Sequence, residues 1–167
     1  MKVNGYEIKP GANLQSADLY GVDLSGVELR HANLRNAELS NTNLEGADLY
    51  RANLEGAEIK NSNLKNTNLI ETNLSLTNLL STNLENAKIR DSNLTNSNLQ
   101  GANLTNVDFS NSFLDKVTFC GAKFNGVMFN SRDIGAEGSS SFLCALTPEE
   151  WKVIQEMRQN PKQEKGN

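Results

Sequence analysis

One feature constrains the fold of this 167-residue chain more than any other: residues 12–134 repeat every five residues, without an insertion or a deletion. The middle position of each five-residue unit is Leu, Ile or Phe at all 25 sites, beginning at Leu14 and ending at Ile134. Two positions earlier stands Ala, Ser, Thr or Val in 24 units, and Arg132 is the exception. An internal repeat of this regularity dictates the architecture of the chain.

A period of five residues fits neither of the common elements. On an α-helix the middle residues would spread around the whole cylinder, because five residues turn by about 140°. On a straight strand they would alternate between the two faces. A chain that turns a corner every five residues buries all of them, since each unit then forms one side of a square coil. We therefore predict an all-β solenoid whose coils contain four units and stack at about 4.8 Å.

The units themselves resemble a known repeat. Residues 32–36, Ala-Asn-Leu-Arg-Asn, and residues 47–51, Ala-Asp-Leu-Tyr-Arg, are similar to the A(D/N)LXX unit of pentapeptide repeat proteins. The resemblance covers residues 12–134 and implies a right-handed quadrilateral β-helix, with the handedness taken from the family alone. The chain is similar to cyanobacterial members that are exported to the thylakoid lumen or periplasm, which carry a short C-terminal helical cap held by a cysteine bridge.

The two ends of the stack need caps, because an open coil exposes apolar side chains and unpaired backbone groups. Val3, Tyr6 and Ile8 are the candidates to cover the first coil, since Lys9 stands where the next middle residue would fall. We predict four segments: an N-terminal cap at 1–11, a β-helix of 25 repeats at 12–134, a helical C-terminal cap at 135–160, and a polar tail at 161–167.

The predicted C-terminal cap has a clear helix start. Thr147 is a good N-cap, Glu150 three residues later completes a capping box, and Trp151 begins an apolar stripe. Toward the end of the stack two outward positions, Phe113 and Met128, become apolar, and the next segment of the chain is the expected cover.

The chain has two cysteines, Cys120 and Cys144. Cys120 is at an outward position, and Cys144 lies in the segment that must fold back over the last coils. A disulfide between them would contribute about 3 kcal/mol and would indicate an oxidising compartment. The alternative is two unpaired thiols beneath the cap.

Composition argues against several classes of protein. The net charge is −4, with both signs interspersed, so the basic stripe of a nucleic-acid-binding protein is absent. No apolar run of a membrane span occurs, and the first five residues lack the hydrophobic region of a signal peptide. Two cysteines and one histidine, His31, do not make a standard zinc site. We expect no metal and no cofactor.

Catalytic groups are also absent from the sequence patterns. We find no Ser-His-Asp set, phosphate loop or nucleophile motif, and a Leu-filled interior offers no pocket. His31 falls at an exposed corner. Glu38 and Glu58 stack on one side of the coil, where nearby basic residues favour a solvated surface. We therefore predict that the protein is not an enzyme.

A possible interaction patch lies near the middle of the stack. Ile70, Leu76 and Leu80 interrupt the polar outward pattern, and Tyr50 lies one coil before Ile70 on the same side. An exposed apolar patch can mark a site for a partner, although scattered apolar residues on a surface are also normal.

These patterns support two hypotheses of function. The first is a rigid structural or interaction scaffold for an unknown protein partner, acting as a monomer or weak dimer in the thylakoid lumen or periplasm. The second, implied by the quinolone-resistance members of the family, is a cytoplasmic DNA mimic that binds DNA gyrase or a related topoisomerase. The low net charge and the cysteine pair favour the first.

Overall fold

The computed structural model describes residues 1–129 and residue 152. The predictions for the last repeat, the helical cap and the polar tail lie outside the described residues and stay predictions. They concern Ile134, Cys144, Thr147, Glu150 and Trp151.

The described repeats form the predicted solenoid. Twenty isolated bridges, all parallel, join residues 20 apart, from Asn13 with Asn33 to Asp108 with Met128. One coil is therefore 20 residues, or four units, as the sequence predicts. Backbone hydrogen bonds link each unit to the coil above, for example from the Leu14 amide to the Asn33 carbonyl at 2.7 Å.

The corners are tight turns with one special residue. The residue two after each middle position has a positive φ at all 23 corners from Ser16 to Gly126, as does Gly11 just before the first unit. The next unit then donates its first amide back to the middle residue, as from Ala17 to the Leu14 carbonyl at 3.1 Å. Positive φ at the third position is the signature of a type II turn, which favours Gly and Asn. Leu76 also has a positive φ, of 60°, although this backbone conformation is unfavourable for leucine.

The middle residues and the residues two before them fill the interior. Leu69, Leu74 and Phe109 are each 0% exposed. The threonines two positions before a middle residue are also buried. Those at 42, 67, 72 and 77 donate their hydroxyls to carbonyls of the preceding coil, as from Thr67 to Leu44 at 3.0 Å. Those hydrogen bonds offset the cost of burying a hydroxyl in an apolar core.

The coil has four outward-facing sides, which we name by their middle residues. Side 1 has the middle residues from Leu14 to Leu114, side 2 those from Leu19 to Phe119, side 3 those from Leu24 to Phe124, and side 4 those from Leu29 to Phe129. Sides 2 and 4 are opposite each other because the units succeed one another around the square.

A short hairpin precedes the first coil. Strand β1, Lys2–Val3, pairs antiparallel with strand β2, Tyr6–Glu7. Asn4 and Gly5 between them have φ values of 48° and 84°, as a two-residue hairpin turn requires. Ile8 is buried, and Val3 and Tyr6 pack against the core. The sequence prediction has no hairpin here, although an Asn-Gly pair between short strands is a strong signal for one.

Candidate interaction surface

Side 4 differs from the other sides in the number of its charged outward residues, nine of which are Asp, Glu, Lys or Arg. They form three parallel columns, whose members are spaced one coil apart at about 4.8 Å. Before the middle position stand Glu28, Asp48, Asn68, Lys88, Asp108 and Met128; after it stand Arg30, Tyr50, Ile70, Arg90 and Ser110; and at the adjoining corner stand His31, Arg51, Glu71, Asp91 and Asn111. Aromatic, apolar, acidic and basic side chains all occur on this one surface.

Four residues of side 4 form a connected cluster. Arg51 donates from Nε to the Glu71 carboxylate at 2.6 Å, and its guanidinium lies 5.0 Å from the Tyr50 ring centroid. The Tyr50 hydroxyl donates to the other Glu71 oxygen at 2.9 Å. The His31 ring meets Tyr50 edge to face, with the centroids 5.9 Å apart. The contacts hold the Tyr50 ring in place on the outside of the coil.

The contacts within the cluster shift the acid–base properties of its members. The hydrogen bond from Arg51, and after it the one from Tyr50, lowers the pKa of the Glu71 carboxyl. The same hydrogen bond to Glu71 raises the pKa of the Tyr50 hydroxyl, since losing the proton would break it. The Glu71 contact also raises the pKa of Arg51.

Ion pairs flank the cluster on both sides. Arg30 pairs with Asp48 at 2.7 Å, and Arg90 pairs with Asp108 at 3.5 Å. Asn68, between them, donates its amide to Asp48 at 3.1 Å. Lys88 is exposed, and its ammonium forms no ion pair within the part of the chain that the structure describes. It leaves one positive charge available on the upper half of side 4.

A shallow depression of about 290 Å³ lies on the same side. Its lining includes the apolar side chains of Ile70 and Met128 and the charged side chains of Lys88, Arg90 and Asp108. Open, partly apolar depressions of this kind accept a protruding side chain of another protein more readily than they enclose a small molecule.

The structure divides the predicted interaction patch. Tyr50 and Ile70 lie on side 4 in neighbouring coils, where the Arg51 amide donates to the Ile70 carbonyl at 3.1 Å. Leu76 is 58% exposed at the corner between sides 1 and 2, and Leu80 lies on side 2. The sequence did not point to the contact of His31 with Tyr50 or of Tyr50 with Glu71, although spacings of 19 and 21 residues place them in adjacent coils.

The other predicted sites are also placed. Phe113 and Met128, at outward positions near the end, are 64% and 51% exposed. Cys120 is half-buried on side 2, and its proposed partner Cys144 lies outside the described residues. Among the residues described, no group of three His, Cys, Asp or Glu side chains could hold a metal ion. Residues 1–129 include no helix that is long and apolar enough to cross a membrane.

Comparison with known proteins identifies the repeat. The family model described as pentapeptide repeats matches residues 10–30, 28–66, 57–96 and 87–126. No match was found among curated proteins.

Among solved structures, a pentapeptide repeat protein from Nostoc is 27% identical, covering 72% of this chain and 82% of that one, with a TM-score of 0.44. One from the thylakoid lumen of Arabidopsis thaliana is 27% identical, covering 63% and 70%, with a TM-score of 0.35. QnrB1, a plasmid-mediated fluoroquinolone resistance protein, is 19% identical, covering 68% and 79%, with a TM-score of 0.26.

Proposed function

Since this chain belongs to the pentapeptide repeat family, we propose that it is a non-enzymatic scaffold that binds another protein chain through side 4. The observation that carries the proposal is the cluster of Tyr50, Arg51 and Glu71 beside Ile70 and its depression. Tyr and Arg are the residue types that most often dominate binding at protein interfaces.

The stack suits this role because it fixes its side chains in space. Every unit is tied to the coils above and below by backbone hydrogen bonds, so outward residues keep a constant spacing. A surface that is already ordered loses little conformational entropy when it binds. Family membership also implies the right-handed sense of the coil.

The charge arrangement favours a scaffold over a DNA mimic. A surface that imitates DNA needs rows of unneutralised negative charge. In this protein several carboxylates are neutralised by ion pairs. Arg30 pairs with Asp48, Arg35 with Glu55 at 3.0 Å, and Lys60 with Glu58 at 3.1 Å. We expect no inhibition of gyrase supercoiling at micromolar protein, and inhibition in that assay would favour the mimic instead.

Photo-crosslinking tests the scaffold role directly. A photoreactive benzoylphenylalanine at position 50 is compared with the same group at position 100. Gln100 is the matched control, because it is exposed and has the same place in its unit on the opposite side. In extract of the source organism we expect a discrete protein adduct at position 50 and none at position 100. Equal labelling at both positions, or none, contradicts the proposal.

We further propose that residues 135–160 form a helical cap, tied to the last coils by a bridge between Cys120 and Cys144, in an exported compartment such as the thylakoid lumen or periplasm. The half-buried position of Cys120, near the end of the described stack, is compatible with a tie to the C-terminal segment. Intact mass after alkylation under denaturing conditions, with and without prior reduction, tests the bridge. If both thiols react without reduction, the bridge and the exported location lose their support.

A further inference from the structure

We propose that the protein chain bound by side 4 is a second copy of this chain, docked antiparallel about a two-fold axis at the level of Asn68 and Ile70. The inference rests on the proposed function of side 4 and names its partner. Its basis is the order of charged residues along the columns of that side.

The bridges fix which residues would meet. Asp48, Asn68 and Lys88 are consecutive members of one column, joined by parallel bridges, so Asp48 and Lys88 lie one coil below and one coil above Asn68. In an antiparallel face-to-face pair, each column faces its own copy in reverse order. Residues one coil below the axis then meet residues one coil above it, while Ile70 meets Ile70 of the other copy.

One coil to either side of the axis, this order makes side 4 complementary to itself. Asp48 meets Lys88, whose ammonium has no ion pair among the described residues of its own chain. At the corner, Arg51 meets Asp91, and between these columns Tyr50 meets Arg90, which gives a cation–aromatic contact. Each of these pairs forms twice, because the two-fold axis repeats it.

Side-chain size is also complementary, at the corner between sides 3 and 4. Gly46 lies one coil below Asn66 in that column, and Asn86 lies one coil above it. The larger Asn86 side chain therefore faces a glycine of the other copy. The depression beside Lys88 and Ile70 leaves room for Asp48 and its paired Arg30 to approach.

The same arrangement limits the affinity. The outermost level sets Glu28 opposite Asp108, and the axis sets Glu71 opposite Glu71 of the other copy, so acidic side chains meet at both places. Five coils offer a contact only about 20–25 Å long. Interfaces at the low end of the size range are weak and transient. We expect a dissociation constant on the order of 10⁻⁵ to 10⁻⁴ M.

The sharpest test uses the residue on the axis. Ile70→Lys and Ile70→Asp each place two like charges opposite one another, so each variant alone should associate at least about tenfold more weakly than the wild type. An equimolar mixture of the two variants should associate again, as a heterodimer. Sedimentation velocity of the full-length chain, at up to about 1 mM protein, measures association of the wild type, of each variant and of the mixture.

A charge swap on the flanking level provides an independent test. Lys88→Asp and Asp48→Lys should each weaken the dimer about tenfold, and the double variant should return to within about threefold of the wild type. Lys60→Asp on side 2 is the control and should leave association unchanged. Asp48 also forms an ion pair with Arg30 and accepts a hydrogen bond from Asn68, so circular dichroism melting checks that its variants are folded.

Several outcomes would overturn the dimer. They are a monomeric wild type at about 1 mM, a mixture of the Ile70 variants that fails to associate, and a double swap that stays as weak as the single changes. A position-50 adduct that contains only a different protein also overturns it, but leaves the scaffold role intact. If position 50 forms no adduct of either kind, both proposals fail.

Discussion

Sides 3 and 4 of the coil share one backbone but use their outward residues in opposite ways. On side 3 one column forms an amide ladder, in which each side chain donates to the equivalent residue of the preceding coil at 3.0–3.3 Å. Its members are Asp23, Asn43, Asn63, Asn83 and Asn103. On side 4 the matching column changes its chemistry at nearly every coil.

The difference shows how a repeat separates stability from recognition. Each asparagine of the ladder also accepts a hydrogen bond from the backbone amide two residues ahead, as Asn83 does from Glu85 at 3.2 Å. The ladder starts at Asp23, an acceptor, which suits the direction of the amide donors. Asp48, Asn68 and Asp108 of side 4 accept the same backbone hydrogen bond. What repetition adds on side 3 is the unbroken series of side-chain bonds between coils, whereas variation on side 4 leaves the Lys88 ammonium available to a partner.

The largest expected effect lies inside the coil, where the two sides should behave alike. Leu64 on side 3 and Leu69 on side 4 are both 0% exposed. Leu64→Ala and Leu69→Ala should each lower the free energy of unfolding by about 2–5 kcal/mol, because each leaves a cavity in the packed interior. Urea denaturation measures both. A loss at Leu69 that is several-fold smaller would show that side 4 is loosely packed, contrary to the structure.

A smaller effect should separate the two sides. Asn83 bonds to Asn63, Asn103 and the Glu85 amide, so Asn83→Ala should cost about 1–3 kcal/mol of unfolding free energy. Lys88→Ala, in the equivalent position of the next unit, should change it by less than about 0.5 kcal/mol. Equal losses in thermal melts of the two variants would remove the distinction between a structural and a recognition column.

The corners, which all four sides share, should respond to backbone conformation alone. Leu76→Asn should raise the free energy of unfolding by about 0.5–1 kcal/mol, since Asn adopts positive φ at lower cost than Leu. The reciprocal change Asn61→Leu, at an exposed corner with φ 58°, should lower it by a similar amount. If Leu76→Asn destabilises the protein, the Leu76 side chain makes a contact that outweighs the strain.

The smallest effect concerns protonation. The pKa of Glu71 lies below its ordinary value of 4.5, so its contacts are complete above pH 4.5 and are lost as the pH falls through the lower folded-state value. Arg51→Ala should raise this pKa toward 4.5, as read from the carboxyl carbon shift by NMR. Asp23 on side 3 is the control: the Ser25 amide lowers its pKa, and this should not change with Arg51.

Much of the fold was accessible from the sequence because its determinant is local. Every unit carries its own inward residues, so Leu64 and Thr67 could be placed in the interior, and both are buried. The pairing of Tyr50 with Ile70 on one side is a consequence of the 20-residue coil. The N-terminal hairpin was missed, although its turn residues Asn4 and Gly5 signal it.

The sequence by itself determined the coil: the period of five residues sets the corners, the corners set the 20-residue turn, and burial of the middle residues leaves no other arrangement. Only the tertiary structure decided which outward side chains touch. Tyr50 could have faced several neighbours, but it contacts His31, Arg51 and Glu71. The neighbours that a long outward side chain contacts depend on distance and charge between adjacent coils, and the repeat pattern does not specify them.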